Sequence, residues 1–370
     1  QAQLSAGNGA AEHRFGLSVS LSGTTALVGA PSADAPTAVN AGAVYVFVRN
    51  GSAWTQQARL TAADAEEDAK FGSSIALTAD TAIIGSPLKD GSIPNSFQPD
   101  VGAVYVYVRN GSVWTQQAKL TASDNQTGDE FGNAVAINGD TILVGAWREG
   151  SAISNKEGSA YVFTRSGAAW VQQAKLVAPD AALNDSLGSA VALSSDTALV
   201  SAKNGGSPTN PRVGSVYVFA RSGTAWTFQA ELTAEDVMEG GFGRSVSVSG
   251  NTAMVGFPSA DNSMADASGA VYVYVRSGVN WGAPSRLVPN VPVSGENFGY
   301  SVSVVGDLAI IGAPGYTFNP SGAAYLFARQ GSIWSQDSRI TGASSADAFG
   351  AAVSISEGML LIGSPNFSES

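Results

Sequence analysis

The chemically most versatile residues in this sequence are carboxylates, and two short stretches bring several of them close together. Residues 124–129 read DNQTGD, and residues 261–266 read DNSMAD. Calcium requires about six to eight oxygen ligands at about 2.3–2.6 Å, and such stretches are a source of them. Their spacing differs from the D-x-[DN]-x-[DN]-G pattern of a compact calcium loop. The sequence therefore leaves the metal site unknown, with Asp124, Asp129, Asp261 and Asp266 as candidate calcium ligands.

Catalytic residues are scarce in the sequence. The only histidine, His13, lies between Glu12 and Arg14, and no nucleophile-elbow pattern accompanies it. There is no cysteine, so a thiol nucleophile and thiolate metal sites are excluded. A carboxylate pair for glycoside cleavage stays open, because its separation in space is not readable from sequence. We predict that the protein is not an enzyme, with a polysaccharide-active enzyme as the alternative.

Four aromatic residues, Trp147, Tyr300, Tyr316 and Phe318, lie outside the repeat pattern described below. Recurrent aromatic residues are expected to pack in the core, so these exceptions are the better platforms for a sugar ring. Most of them join the acidic loop residues in one candidate ligand-binding set. That set is Asp34, Asp64, Glu66, Asp90, Asp100, Trp147, Arg148, Asp261, Asp266, Tyr316 and Phe318.

The charge balance limits the classes of partner. The chain has 30 acidic and 19 basic residues and a net charge of −11, which repels the phosphate backbone of nucleic acids and anionic membrane surfaces. No run of about 18 apolar residues is present, so no membrane insertion is expected. The predicted partners are therefore a protein or glycan ligand, together with flanking domains if the natural chain is longer.

The elements that must position these residues repeat along the chain. A Phe-Gly pair opens each unit, and an alternating run such as SSIALT, a short turn and a second apolar run follow it. A third run resembling GAVYVFVR and a fourth resembling WTQQAKLTA complete the unit, which indicates four strands and no helix. The units begin at Phe15, Phe71, Phe131, Leu187, Phe242, Phe298 and Phe349.

Four antiparallel strands in a unit of this length, repeated several times, are typical of a β-propeller. Alternate serines or alanines in the first run suit the crowded centre of such a ring. The third run is apolar on both faces, as expected for a strand between neighbouring blades. Gln, Lys and Thr in the fourth run suit a solvated outer edge. The fold class is therefore all-β.

The Phe-Gly pair and a Gly-Ala-Pro-like triplet after the second run resemble the FG-GAP repeat family, which builds the seven-bladed propeller of integrin α subunits. The triplet is clearest at Gly29-Ala30-Pro31 and Gly312-Ala313-Pro314, and it degrades to Gly145-Ala146-Trp147 and Ser201-Ala202-Lys203. The resemblance covers essentially all 370 residues and implies one seven-bladed domain over 1–370. We expect a strand at residues 1–6 to complete the blade begun by residues 349–365, with or without a third strand.

Members of that family often carry a calcium loop between the first two strands. Here the connection is only two to four residues long, as at Ala79-Asp80 or Asn138-Gly139-Asp140, which is a hairpin turn. No cofactor is therefore required, and calcium is possible only outside such loops. The turn aspartates Asp80, Asp140, Asp196 and Asp307 are interpreted as turn formers.

Antiparallel order divides the loops between two faces. Long, acidic and varied loops lie on one face, and short turns followed by a recurrent arginine lie on the other. The arginines are expected to cap strand ends and pair with the turn aspartates. A recurrent acid before the Phe-Gly pair is expected to accept backbone N–H groups across the blade junction. It is found at Glu12, Asp68, Asp129, Asp185, Glu296 and Asp347.

Loops on a rigid frame commonly carry function, so the long-loop face is the candidate binding face. We predict a non-catalytic, extracellular or cell-surface recognition or adhesion propeller that binds a protein or a glycan. A polysaccharide-binding lectin or a polysaccharide-active enzyme at the axial mouth is one alternative. A structural module of a larger surface or filament protein is the other.

Overall fold

In the computed structural model of this chain, the regular elements of the residues described below are β-strands. The structure describes residues 2–7, 13–93, 96–150, 157–205, 213–234, 240–261, 265–315, 322–342 and 347–366. Within these residues, no helix has the length and apolar character of a membrane span.

The strands within the described residues form six antiparallel blades and two separate hairpins. The first three blades consist of β1 (Ser18–Ser22), β2 (Thr25–Ala30), β3 (Ala43–Asn50) and β4 (Ala53–Leu60); β5 (Ser74–Thr78), β6 (Thr81–Ser86), β9 (Ala103–Asn110) and β10 (Val113–Leu120); and β11 (Ala134–Asn138), β12 (Thr141–Ala146), β13 (Ser159–Ser166) and β14 (Ala169–Leu176). A small hairpin of β7 (Gly91–Ile93) and β8 (Ser96–Gln98) lies between β6 and β9.

The remaining strands follow the same order. They are β15 (Leu187–Ser194), β16 (Thr197–Ala202), β17 (Ser215–Ser222) and β18 (Ala225–Leu232); β19 (Ser245–Ser249), β20 (Thr252–Phe257), β21 (Ala270–Ser277), β22 (Asn280–Trp281) and β23 (Ser285–Leu287); β24 (Ser301–Val305), β25 (Leu308–Ala313), β26 (Ala323–Gln330) and β27 (Ile333–Thr341); and β28 (Ala352–Ser356) with β29 (Met359–Gly363). In the fifth blade Pro284 separates β22 from β23, because proline cannot donate to the ladder.

Close packing of glycine and serine brings the inner strands of neighbouring blades together. The first strands of successive blades contact one another in a ring, and β28 contacts both β24 and β1. Ser74 Oγ donates to the carbonyl oxygen of Gly132 in the next blade at 2.7 Å. Gly85, in the triplet of the same blade, lies against that carbonyl with no room for a side chain. There is therefore no room for a side chain at Gly85 beside Ser74, whereas in the fourth blade Ser201 takes the glycine position and itself donates to the Gly243 carbonyl oxygen.

The recurrent tryptophan and glutamine link the outer strands. In every complete blade but the fifth, the third strand pairs with the fourth through a β-bulge, and the bulged residue in the first blade is Gln57. Its side chain accepts the indole N–H of Trp114 in the next blade at 3.0 Å. Gln117, Gln173 and Gln229 repeat this bond to the tryptophans of the following blades. In the first four blades the bulge thus directs a glutamine toward the next blade.

The structure has six complete blades, so the prediction of seven is wrong in number. The seventh unit is only the hairpin β28–β29, which lies between the sixth and first blades. Leu21 N donates to Ser354 Oγ at 3.0 Å on one side, and Ile355 N donates to Ser303 Oγ at 3.2 Å on the other. These bonds match those between complete blades, as from Leu77 N to Ser20 Oγ.

The predicted N-terminal strand is also wrong in its secondary structure, because residues 2–7 form no strand. Leu4 and Ala6 nevertheless pack against the core of the first blade, and Gly7 N donates to Gln56 Oε1. Ala63 N makes the equivalent bond to Gln116 one blade later. Residues 4–7 therefore lie in the position that the end of a fourth strand has in a complete blade. Among the described residues, no third strand connects them to β29.

The incomplete unit leaves apolar surface partly open. The second strands of the six blades are almost entirely buried, whereas Met359, Leu360, Leu361 and Ile362 of β29 are only half-buried. Phe15 and Phe349 beside the gap are also half-buried, in contrast to the fully buried Phe71. The missing third strand accounts for both differences, since in complete blades it covers these positions.

Candidate functional site

The face that carries the 1–2 and 3–4 turns is here called the arginine face. Arg109 pairs with Asp80 at 2.6 Å and donates to Thr25 Oγ1 of the preceding blade at 3.0 Å. Its guanidinium also lies over the ring of Trp114. The same pairing recurs at Arg165–Asp140, Arg221–Asp196 and Arg329–Asp307. The predicted pairing of the arginines with turn aspartates is confirmed at these four positions, whereas Arg276 donates to the amide oxygen of Asn251 and Arg49 contacts the sulfur of Met359.

The opposite face carries the 2–3 loops and the connections between blades, and is here called the long-loop face. Asp64 accepts the phenol of Tyr105 at 2.7 Å and pairs with Lys119 at 2.6 Å. Partial burial acts to raise the pKa of Asp64, but the bonds from Lys119 and Tyr105 outweigh it and the pKa lies below its ordinary value. Asp124 makes the same two contacts with Tyr161 and Lys175. Both aspartates are therefore engaged in holding an inter-blade loop against the next blade.

Several other predicted ligand residues hold their own loops together. Asp34 Oδ1 accepts the amide of Asn40 at 2.9 Å, and Asp261 Oδ1 accepts that of Ala267 at 2.7 Å. Glu66 forms an ion pair with Lys89. Asp90 accepts the backbone N–H of Asp100 at 3.1 Å. These bonds brace loops that project beyond the sheets.

The four candidate calcium ligands do not converge in the structure. Asp129 is buried and accepts the amide of Gln126 at 2.6 Å, while Asp124 binds Tyr161 and Lys175. Asp266 is exposed, and its carbonyl oxygen accepts the amide of Gly295. Within the described ranges, no group of three or more histidine, cysteine or acidic residues has the arrangement of a metal site.

The acidic residues that recur before the Phe-Gly pair make structural bonds as predicted, but these bonds differ from the predicted ones across the blade junction. Asp129 and Asp185 accept amides three residues earlier, so their bonds are local instead of crossing the blade junction. Glu296 is fully buried, accepts the phenol of Tyr325 at 2.8 Å and pairs with Arg339 at 2.8 Å. Glu12 lies outside the described residues.

Asp129→Asn is expected to stabilise the protein above neutral pH. Burial raises the pKa of Asp129 from 3.8 to about 7, so the native state binds more protons than the unfolded state between those values. Wild-type stability therefore falls as the pH rises through this window. We expect the variant to gain about 1 kcal/mol at pH 8 and almost nothing at pH 4, because the amide keeps the bond from Gln126. Thermal unfolding at both pH values measures this, and an equal gain at both would contradict it.

The long-loop face carries a second kind of cluster at the centre of the ring, here called the axial mouth. It consists of Glu130, Trp147, Arg148, Lys203, Arg244 and Tyr300. These residues come from four successive blades, at the ends of second strands or at the starts of first strands. Because the first strands form the inner ring, these residues surround the axis.

Two aromatic rings hold the cations of the axial mouth. Lys203 Nζ lies 4.0 Å from the ring centre of Trp147, and the guanidinium of Arg148 lies 5.1 Å from it. The guanidinium of Arg244 lies 4.2 Å from the ring centre of Tyr300. Such cation–π contacts are worth about 0.5–2 kcal/mol, depending on how far water is excluded. The cations are thereby held in fixed positions around the axis.

Glu130 fixes the tryptophan and one arginine of the axial mouth. Its carboxylate accepts the indole N–H of Trp147 at 2.7 Å and forms an ion pair with Arg148. The Arg148 Nε is buried without a hydrogen-bond partner. Asp100 lies close by, where burial and the Glu130 carboxylate raise its pKa. Trp147, Arg148 and Asp100 are thus the predicted site residues that the structure brings together.

Sequence reasoning missed Glu130, Lys203 and Arg244 as site residues, and it noted Tyr300 only as an exception to the repeat. These residues could have been found from the positions at which the sequence departs from the repeat. Trp147 and Lys203 replace the proline of the Gly-Ala-Pro triplet, and Arg244 and Tyr300 follow their Phe-Gly pairs directly. Tyr316 and Phe318 lie outside the described residues.

A comparison with protein-family models matches the FG-GAP repeat to six stretches of this chain. They are residues 1–47, 54–107, 114–163, 170–219, 226–274 and 281–327. Each stretch from the second onward begins at a fourth strand and ends in the third strand of the next blade, so the matches follow the observed blade order. A search of curated proteins found no match to the chain.

Proposed function

Because the chain belongs to the FG-GAP repeat family, we propose that it is a non-catalytic recognition propeller that binds a glycan or protein ligand through its long-loop face. It acts at the cell surface or outside the cell, in keeping with its resemblance to the adhesion propellers of integrins. No cofactor is needed, and calcium does not contribute through the short 1–2 turns. The binding centre is the axial mouth.

The single observation that supports this proposal is the aromatic–cationic arc across four blades. Trp147 and Lys203 replace prolines that other blades retain, so the arc is not needed to build a blade. On the arginine face, four of the recurrent arginines pair with aspartates, as Arg109 does with Asp80. Concave sites with a few convergent polar groups and aromatic walls are typical of ligand binding.

A structural module of a larger surface or filament protein is the second candidate function. The observation that favours it is the outer edge of β29, which is unpaired among the described strands. An open sheet edge can accept a strand from another chain.

The test of the recognition function is a panel of soluble neutral and acidic oligosaccharides, measured against the intact chain by calorimetry. Trp147→Ala is expected to weaken binding at least about tenfold, as aromatic anchors often do. Phe228→Ala is the matched control, because that exposed aromatic residue lies on the outer strand β18. EDTA is expected to leave the affinity unchanged. Binding that is equally strong in both variants would contradict a ligand site at the axial mouth.

A further inference from the structure

Two cations of the axial mouth lack an acidic partner. No carboxylate among the described residues lies within salt-bridge distance of Lys203 or Arg244. They contact aromatic rings instead, Trp147 and Tyr300 respectively. A ring face attracts a cation but carries no net charge, so the positive charge is held without being neutralised. On the arginine face, by contrast, four guanidinium groups pair with aspartates, although Arg276 pairs with the neutral amide of Asn251.

Lys203 is partly buried whereas Arg244 is exposed, so the cost of an unneutralised charge is greatest at Lys203. Loss of solvent lowers the pKa of Lys203, and the neighbouring Arg244 lowers it further. Glu130 acts in the opposite direction, but its carboxylate is already occupied by Trp147 and Arg148. An incoming anion would relieve the repulsion between Lys203 and Arg244 and replace the lost hydration. The arrangement therefore favours a negatively charged group over a neutral one.

The surrounding charge restricts the kind of anion. The chain has a net charge of −11, and acidic residues such as Asp34 and Asp261 lie on the same face as the axial mouth. Dense polyanions such as nucleic acids would meet this repulsion over many charges, whereas widely spaced charges would not. A short saccharide with acid groups on separate sugar rings offers an anion to the axial mouth and carries fewer charges than a nucleic-acid duplex.

We propose that the axial mouth binds an oxyanion carried on a saccharide, with Lys203 and Arg244 as the residues that recognise the charge. This proposal rests on the proposed recognition function. A carboxylate on a uronic acid and a sulfate ester supply the same chemistry, and the experiment distinguishes them. Arg148, whose Nε is buried without a partner, is placed to add a further donor once the anion displaces its pair with Glu130.

The test compares three probes of equal length by calorimetry: galacturonic acid oligosaccharides, neutral galactose oligosaccharides and sulfated galactose oligosaccharides. We expect one acidic probe to bind at least about tenfold more tightly than the neutral one, as for hydrogen bonds to charged groups. Whichever acidic probe binds more tightly identifies the oxyanion. High salt is expected to weaken that binding.

Lys203→Met and Arg244→Met should each remove most of this preference while the neutral probe binds as before. The two residues lie on different blades, so if one variant fails to fold, the other variant still tests the proposal. Arg286→Met on the outer strand β23 removes the same charge and is expected to change nothing. Equal affinity for neutral and acidic probes, still dependent on Trp147, would overturn the charge inference and leave the recognition function intact. If Trp147→Ala bound every probe as tightly as the wild-type protein does, the proposed recognition function itself would be contradicted.

Discussion

Replacing Gly85 with alanine is expected to destabilise the propeller by about 3 kcal/mol or more, a large effect for one methyl group. The new Cβ would overlap the carbonyl oxygen of Gly132 and lie 3.0 Å from its carbonyl carbon. Both atoms belong to the backbone of the next blade, which is held by the inner ring of strands. The position cannot relax without moving two blades apart. Urea or thermal unfolding of the two proteins measures the difference.

Gly282→Ala is the matched control for this prediction. Its Cβ would meet only the carbonyl oxygen of Val275 at 3.5 Å, an ordinary contact, and its φ lies outside the left-handed region. We expect this change to be neutral or slightly stabilising, since alanine loses less conformational entropy than glycine on folding. A Gly85→Ala variant as stable as Gly282→Ala would show that the blades are not in close contact at the axis.

Arg339→Met is expected to have the second-largest effect, a loss of about 3 kcal/mol in the free energy of unfolding. Glu296 is fully buried, and its carboxylate is held by Arg339 and by the phenol of Tyr325. Methionine keeps the apolar stem of the arginine but leaves the buried carboxylate without its cation. Chemical denaturation at neutral pH measures the loss.

The double variant Glu296→Gln/Arg339→Met provides the control. Glutamine still accepts the Tyr325 phenol but has no charge to bury, so the double variant should recover most of the stability lost in Arg339→Met. Two losses that simply add would contradict the view that the effect comes from an unpaired buried charge. Arg286→Met, in the outer strand of the preceding blade, should cost well below 1 kcal/mol because its guanidinium is exposed.

The repeat pattern was sufficient to predict the strands and their order. Alternating runs bounded by glycine predicted four strands per unit. The prediction was possible because the composition of each run suits one environment in the ring: the inner strand, a strand between neighbouring blades, or the outer strand. The blade count was wrong because seven Phe-Gly-like pairs were counted as seven blades. The seventh pair, at Phe349, is followed by only two strands, and residues 2–7 supply packing without strand pairing.

The candidate site was harder to predict because it depends on distances between blades. Trp147 and Lys203 are 56 positions apart in the chain, yet they contact each other because equivalent positions of neighbouring blades are adjacent. The acid-rich loops were predicted to bind the ligand because of their composition, but acidic residues such as Asp64 form ion pairs within the protein instead. Departures from a repeat are thus a better guide to the site than the charge of its loops.

The half-formed seventh unit has a consequence for how the protein unfolds. The ring is closed there by one hairpin, by side-chain bonds such as Leu21 N to Ser354 Oγ, and by the contact of Arg49 with Met359. Every other junction joins two complete blades. The propeller therefore has a seam, and thermal opening should begin at β28–β29 before the six blades separate. Amide hydrogen exchange would show this as faster exchange in β29 than in the matching strand β25.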